Sequence, residues 1–260
     1  MSKQDKQFSR RDFLKTTGAA TGGIIGGSLL GGFIGYNFDD GAPATESETD
    51  EHGEAAPGAG GEQDHHTGYM FFTKHSDRET IEAAMERIFP EDDLGPGAAA
   101  LGAAYFLDTQ LAGDYGSNAK EYMQGPFYEG APTQGYQSRL NRREYFMLGI
   151  RKLNEAANEE YDADFRALEP EQMDDILTKF QEGDVDMGVP AHTATSPEFF
   201  GLLRTATLEG VYSDPIYRGN RGMEGWKMKN FPGHQMAYIE EINDGEFHEI
   251  DPVSVAEGHH

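Results

Sequence analysis

Apolar residues recur at helical spacing in five windows of the chain, and no window shows the sustained alternation of a half-buried strand. Ile81, Ala84, Met85 and Ile88 stand at i, i+3, i+4 and i+7, behind a capping-box pattern formed by Ser76 and Glu79. This first helix is expected to stop at Phe89-Pro90. Pro96 is placed to open a second, in which Leu101, Ala104, Tyr105, Asp108 and Leu111 keep the period as far as Gly113. Asn141 and Glu144 repeat the capping-box signature ahead of Phe146, Ile150, Leu153 and Ala157. A fourth stripe, Met173, Ile176, Leu177 and Phe180, lies between Glu169-Pro170 and Gly183. The fifth begins at Ser196-Pro197-Glu198, carries Phe200, Leu203 and Thr207, and is expected to end before Gly210. The pattern predicts an all-α domain, an irregular helical bundle of about five main helices joined by long aromatic-rich loops.

Outside these windows the chain changes character three times. Residues 39–68 are rich in Glu, Asp, Gly, Ala and Pro, and Asp39 to Asp64 contains no Lys or Arg, the composition of a disordered acidic linker. The helical domain is expected over residues 69–238, followed by an acidic C-terminal tail over 239–260. Residues 1–38 read as an address. Ser9-Arg10-Arg11-Asp12-Phe13-Leu14-Lys15 precedes an uncharged Gly-rich run from Thr16 to Tyr36, the arrangement of a twin-arginine export signal carried by Arg10, Arg11, Phe13 and Leu14. Ala42-Pro43-Ala44 offers small residues suited to cleavage before Thr45. The run from Thr16 to Tyr36 also has about the length that spans a bilayer. Both fates, a removed signal and a retained anchor, stay open. The expected location is the periplasm or the outer face of the cytoplasmic membrane.

Composition narrows the chemistry. The chain has no cysteine, which removes disulfides, thiolate metal sites, cysteine nucleophiles and covalent haem attachment. Its formal net charge is −25; five basic and two acidic side chains stand before residue 37, so the remainder carries about −28. Nucleic acid and anionic membrane surfaces are poor partners for such a chain. No Gly-rich dinucleotide fingerprint, Walker sequence, Gly-x-Ser-x-Gly elbow or His-Glu-x-x-His is present. Glu62-Gln63-Asp64-His65 has the Glu-x-x-His spacing of a di-iron bundle but lies in the linker without a paired copy, so it reads as accidental. Catalytic, cofactor-binding and metal-ligating residues are therefore assigned nowhere in this chain. Asp108, on or beside the apolar stripe of the second helix, reads as a structural carboxylate that is buried with a partner or caps a neighbouring loop.

Two connections are too long and too aromatic to be plain solvent loops. Tyr115 to Arg139 holds Tyr122, Phe127, Tyr128, Tyr136 and Gln137. Val211 to Gly233 holds Asp214, Tyr217, Asn220, Trp226 and Phe231, with Arg218, Arg221, Lys227 and Lys229 against Asp214 and Glu224, a local charge of +2 on an acidic chain. Rigid aromatics beside arginine are what interfaces favour, so Tyr136, Gln137, Asp214, Tyr217, Arg218, Asn220, Arg221, Trp226 and Lys227 are the candidate docking residues. The competing reading is that the aromatics pin each loop onto the bundle itself.

The order Phe71-Phe72-Thr73, Phe89-Pro90-Glu91-Asp92, Gly95-Pro96-Gly97-Ala98, Tyr105, Asp108, Leu111-Ala112-Gly113, Gly135-Tyr136-Gln137-Ser138, Phe199-Phe200, Glu209-Gly210, Ser213-Asp214-Pro215, Tyr217, Gly219-Asn220, Gly225-Trp226 and Phe231-Pro232-Gly233 resembles the gluconate 2-dehydrogenase subunit 3 family. The resemblance covers about Phe71 to Gly233. It departs at Tyr217-Arg218-Gly219-Asn220, where the family tends to have Tyr-Gly-Gly-Asn. The resemblance implies a helical, non-catalytic small subunit of a membrane-associated sugar or polyol dehydrogenase complex. In such complexes a large subunit of the glucose–methanol–choline type carries FAD and oxidises the substrate, and a cytochrome with haem c often receives the electrons. The small subunit would stabilise the large one and escort it, folded and flavin-loaded, through the twin-arginine translocase. The alternatives are an independent exported enzyme or metal-binding bundle using Asp92, Asp108 and Asp214, and a tethered surface protein.

Overall fold

A computed structural model describes residues 68–257 apart from 129 and 132. The export signal with Arg10, Arg11, Phe13 and Leu14, the 16–36 run, Glu62 to His65 and His259-His260 lie outside the described residues. Five long helices form the body: α1 (His75–Ile88), α2 (Ala103–Ala112), α4 (Arg142–Tyr161), α5 (Pro170–Glu182) and α6 (Ser196–Tyr212). Single turns of helix stand between and after them, α3 (Asp114–Ser117), α7 (Glu224–Lys227) and α8 (Ile239–Asp244), and the described residues contain no sheet. The fold is all-α. Among the described residues no helix is long and apolar enough to cross a membrane.

The periodic residues close the core. Ile81, Ala84, Met85 and Ile88 of α1, Met173, Ile176, Leu177 and Phe180 of α5, and Phe199, Phe200 and Leu203 of α6 are all buried in one cluster. Helix α6 is its axis, packing against each of the other four long helices. At its middle the Phe199 ring stands edge-on to Phe146 of α4, 5.9 Å between centroids, and meets Phe180 of α5 at 5.6 Å. Such aromatic contacts add about 0.5–1.5 kcal/mol each beyond the area they bury.

Most helix termini follow the sequence, the stops at Phe89 and Gly113 among them, and three depart from it. Asn141 Oδ1 accepts the Glu144 N–H at 3.0 Å while Glu144 Oε2 accepts the Asn141 N–H at 2.9 Å, a complete capping box at the start of α4. Pro170 opens α5, and Gly183, at φ +91°, closes it. Thr195 and Glu198 cap α6 reciprocally. Ser76, by contrast, is not a cap: α1 begins at His75 after Lys74, which makes no side-chain cap bond, and Glu79 pairs instead with His75 and Arg166. Pro96 does not open α2, because residues 98–102 form turns and the regular helix starts only after Gly102 at φ +76°. Helix α6 runs past Gly210 to Tyr212; that glycine is a contact point, where a Cβ would come within 2.9 Å of the Ala103 Cα on α2.

Candidate partner-docking surface

Both long connections leave the same pair of helices. One departs from α2 through α3, and the other continues from the end of α6, which packs along α2. In the second connection Asp214 caps a 3-10 turn, Pro215–Tyr217, its Oδ1 accepting the Ile216 N–H at 2.9 Å. The chain then passes through Arg218 and Asn220, at φ +74° and +47°. Asn220 is fully buried. Its Nδ2 donates to the Ser213 carbonyl and its Oδ1 accepts the Gly225 N–H, both at 2.8 Å, tying the loop across its own width. Trp226 is buried as well, donating from Nε1 to the Tyr212 carbonyl at 2.7 Å and standing edge-on to Phe231.

Arg218 also turns inward. Its side chain is 8 % exposed, with Nη1 3.8 Å from Asp108 Oδ2 and 3.2 Å from Thr109 Oγ1, while Nη2 donates to the Gly68 carbonyl. Asp108 is fully buried in α2. Its Oδ1 accepts the N–H groups of Phe71 and Phe72 at 2.8 Å and its Oδ2 that of Met70 at 2.6 Å. A buried carboxylate needs such partners, and here it satisfies three backbone donors in a segment with no regular structure of its own. Arg218 thus ties the second loop to the root of the domain. Its left-handed φ is the conformation a glycine takes most readily.

What the second loop presents to solvent is a different set. Ile216 and Tyr217 are about half exposed, as is Phe231. Arg221 lies on the surface with its guanidinium 4.5 Å from the Tyr105 ring centre, and Lys227, exposed, pairs with Glu224 at 2.8 Å. Lys229 lies over the Tyr212 ring. The second loop thus exposes three large apolar side chains and three basic ones on a strongly acidic chain.

The first connection is organised by Arg142, at the first position of α4. Its guanidinium lies 4.3 Å from the Tyr115 ring centre and 4.7 Å from that of Tyr136, and Nη1 pairs with Glu121 at 2.7 Å. Asn118, buried at φ +54°, accepts from the Arg142 backbone N–H at 3.0 Å. The Tyr136 hydroxyl donates to the Leu140 carbonyl at 2.6 Å, and burial pushes its pKa up to about 12. Gln137 donates to the Ala131 carbonyl at 3.1 Å. Tyr122 and Tyr128 are the side chains this loop holds out, 81 % and 77 % exposed. Beside Arg142 a cleft of about 470 Å³ is lined by Thr109, Gln110, Asp114, Lys120 and Glu121, among others.

Of the nine candidate docking residues, then, Tyr217, Arg221 and Lys227 reach solvent. Asn220, Trp226 and the Arg218 side chain are spent inside, and Tyr136, Gln137 and Asp214 are half-buried in local hydrogen bonds. Ile216 was not legible as a surface residue, since an isolated isoleucine between proline and tyrosine carries no period. Asp92, Asp108 and Asp214 each accept backbone N–H groups, and among the described residues no three His, Asp or Glu side chains converge as a metal ion would require.

The family model described as gluconate 2-dehydrogenase subunit 3 matches residues 75–233, which takes in all five long helices and both aromatic loops. No curated protein and no solved structure matches the chain. The match spans more than half of the sequence; the chain belongs to the gluconate 2-dehydrogenase subunit 3 family.

Proposed function

We propose that this protein is the non-catalytic small subunit of a gluconate 2-dehydrogenase-like complex, that it stabilises an FAD-containing large subunit of the glucose–methanol–choline type, and that it escorts that subunit through twin-arginine export. The family match over residues 75–233 carries this reading. It is supported by the side chains that the second loop exposes, Ile216, Tyr217 and Phe231 together with Arg221, Lys227 and Lys229, a composition suited to an interface with an acidic partner surface. Arg10-Arg11 with Phe13 and Leu14 supply the export address, and a folded passenger is what that route accepts. FAD belongs to the large subunit and haem c, where present, to a cytochrome subunit. The complex works in the periplasm or on the outer face of the cytoplasmic membrane, held there by residues 16–36 if they are retained.

The test replaces Arg10 and Arg11 by lysine in cells that also produce the flavoprotein. The expected result is that flavin-dependent dehydrogenase activity stays in the cytoplasm. Unchanged export of the flavoprotein would sink the escort reading. Purification of the wild-type chain without any associated flavoprotein would sink the subunit reading.

A further inference from the structure

The C-terminal segment is acidic on average, but its last described residues do not behave as a solvated tail. After residues 236–249, exposed wherever their side chains are described, the chain returns to the second loop and lies along it. Val253 pairs in parallel with Gly233: its N–H donates to the Pro232 carbonyl at 3.1 Å, and its carbonyl accepts the His234 N–H at 2.7 Å. One residue on, the Ser254 hydroxyl donates to Asp214 Oδ1 at 2.6 Å, and the Val255 N–H donates to Asp214 Oδ2 at 2.9 Å. Ser254 is buried, whereas Val255 is 55 % exposed and Val253 half-buried.

Three properties of this contact point the same way. The receiving surface is built for a passing backbone: at Gly233, with φ +70°, a Cβ would overlap the Val253 carbonyl oxygen and come within 2.9 Å of its nitrogen. The hydrogen bonds described for the segment tolerate sequence, being main-chain pairing plus one hydroxyl, and none of residues 251–256 belongs to the core cluster. The family boundary also runs close to it: Asp214, Pro232 and Gly233 lie inside the matched residues 75–233, whereas His234 and Val253 to Val255 lie outside.

We propose that Asp214 with Pro232–His234 forms a binding site for an extended peptide carrying a serine or threonine, that residues 251–256 of this chain occupy it in cis, and that an extended segment of the flavoprotein partner replaces them in the complex. The last clause rests on the function proposed above; the site and its cis occupant do not. Main-chain pairing supplies the affinity, and Asp214 selects a hydroxyl followed directly by a backbone N–H. The few hydrogen bonds holding the segment, against the entropy of closing the long connection after His234, make it exchangeable rather than a part of the core.

Trp226 is the chain's single tryptophan, and its Cζ3 would lie 2.7 Å from a Cβ on Gly233, so its fluorescence reports on the site. The experiment titrates a synthetic peptide with the sequence of residues 250–257 into the chain ending at Ile250 and into the full chain. Saturable binding to the shortened chain and none to the full chain is expected, with the Ser254→Ala peptide weaker by about tenfold. In the full chain, Asp214→Asn should speed hydrogen exchange at the Val253 and Val255 amides. A folded shortened chain that ignores the peptide, equal binding by both chains, or a shortened chain that no longer folds would each overturn the proposal. With the flavoprotein present, the peptide should compete with it. Peptide binding without competition removes the flavoprotein as the replacing ligand. If the flavoprotein does not associate at all while the peptide still binds, the subunit reading falls and the peptide site stands.

Discussion

Asp108→Asn tests whether one buried carboxylate joins the N-terminal end of the domain to its second loop. The substitution keeps the shape but puts an NH₂ group where an acceptor stood, facing N–H groups of Met70, Phe71 or Phe72, and removes the charge 3.8 Å from Arg218. Hydrogen bonds to a charged group contribute about 1.5–3 kcal/mol each, and leaving one partner of a buried ion pair alone costs about 3–5 kcal/mol. The three amides are not equally dependent on the carboxylate, since Phe72 is buried and Met70 is exposed enough to find water. Weighing these, the loss should be about 3–4 kcal/mol, a large part of the 5–15 kcal/mol typical of a domain. Equilibrium unfolding in urea, followed by Trp226 fluorescence and far-ultraviolet circular dichroism, should give a midpoint lower by about 1–2 M with little change in slope. Arg218→Ala in both backgrounds completes a double-mutant cycle, in which a coupling of about 1–3 kcal/mol is expected. A change within about 0.5 kcal/mol for Asp108→Asn would refute the reasoning, because surface substitutions do no more than that.

Two further substitutions probe the core and the first loop. At Gly149, in the middle of α4, a Cβ would overlap the Phe199 ring, so Gly149→Ala should destabilise by about 1–3 kcal/mol despite its better helix propensity; a neutral or stabilising result in thermal unfolding would mean that α4 and α6 are not in contact there. Tyr136 holds its proton more tightly in the folded state than the free side chain, whose pKa is about 10, so its contribution is complete below pH 10 and is lost as pH rises towards about 12. Burial raises Tyr69 and Tyr145 in the same direction. Stability should therefore decline over that alkaline window, and less steeply in Tyr136→Phe; equal slopes in urea unfolding at several pH values would contradict this.

The five helices were legible because each buries a stripe three or four residues wide, and that spacing survives in the sequence whatever the stripe packs against. Short pieces were not. Phe165 is fully buried on a 3-10 turn, Phe165–Ala167, flanked by Asp164 and Arg166, and three residues are too few to show a period. Within the irregular loops the sequence names the aromatics but not their direction. Trp226 and Tyr217 looked equivalent as interface residues, and only the hydrogen bond from Trp226 to the Tyr212 carbonyl separates the one that pins the loop from the one left in solvent. Arg142 was hidden by its place in a capping region, where a basic residue is unremarked. The returning Val253-Ser254-Val255 was hidden by the average charge around it, although the alternation of valine and serine after Asp251-Pro252 was its one visible sign.

The meeting of Asp108 and Arg218 with residues 68–72 also has a mechanical consequence. A pull applied through the chain before Gly68 arrives first at the Gly68 carbonyl and at the amides of Met70 to Phe72. From there it passes into α2 through one carboxylate and into the loop after α6 through one guanidinium, so three amide hydrogen bonds and an ion pair share it. Helix α1, which follows directly in sequence, is shielded from being peeled from its N-terminus. A domain drawn by its leading end would hand that tension to the same loop that offers Ile216 and Tyr217 to a partner.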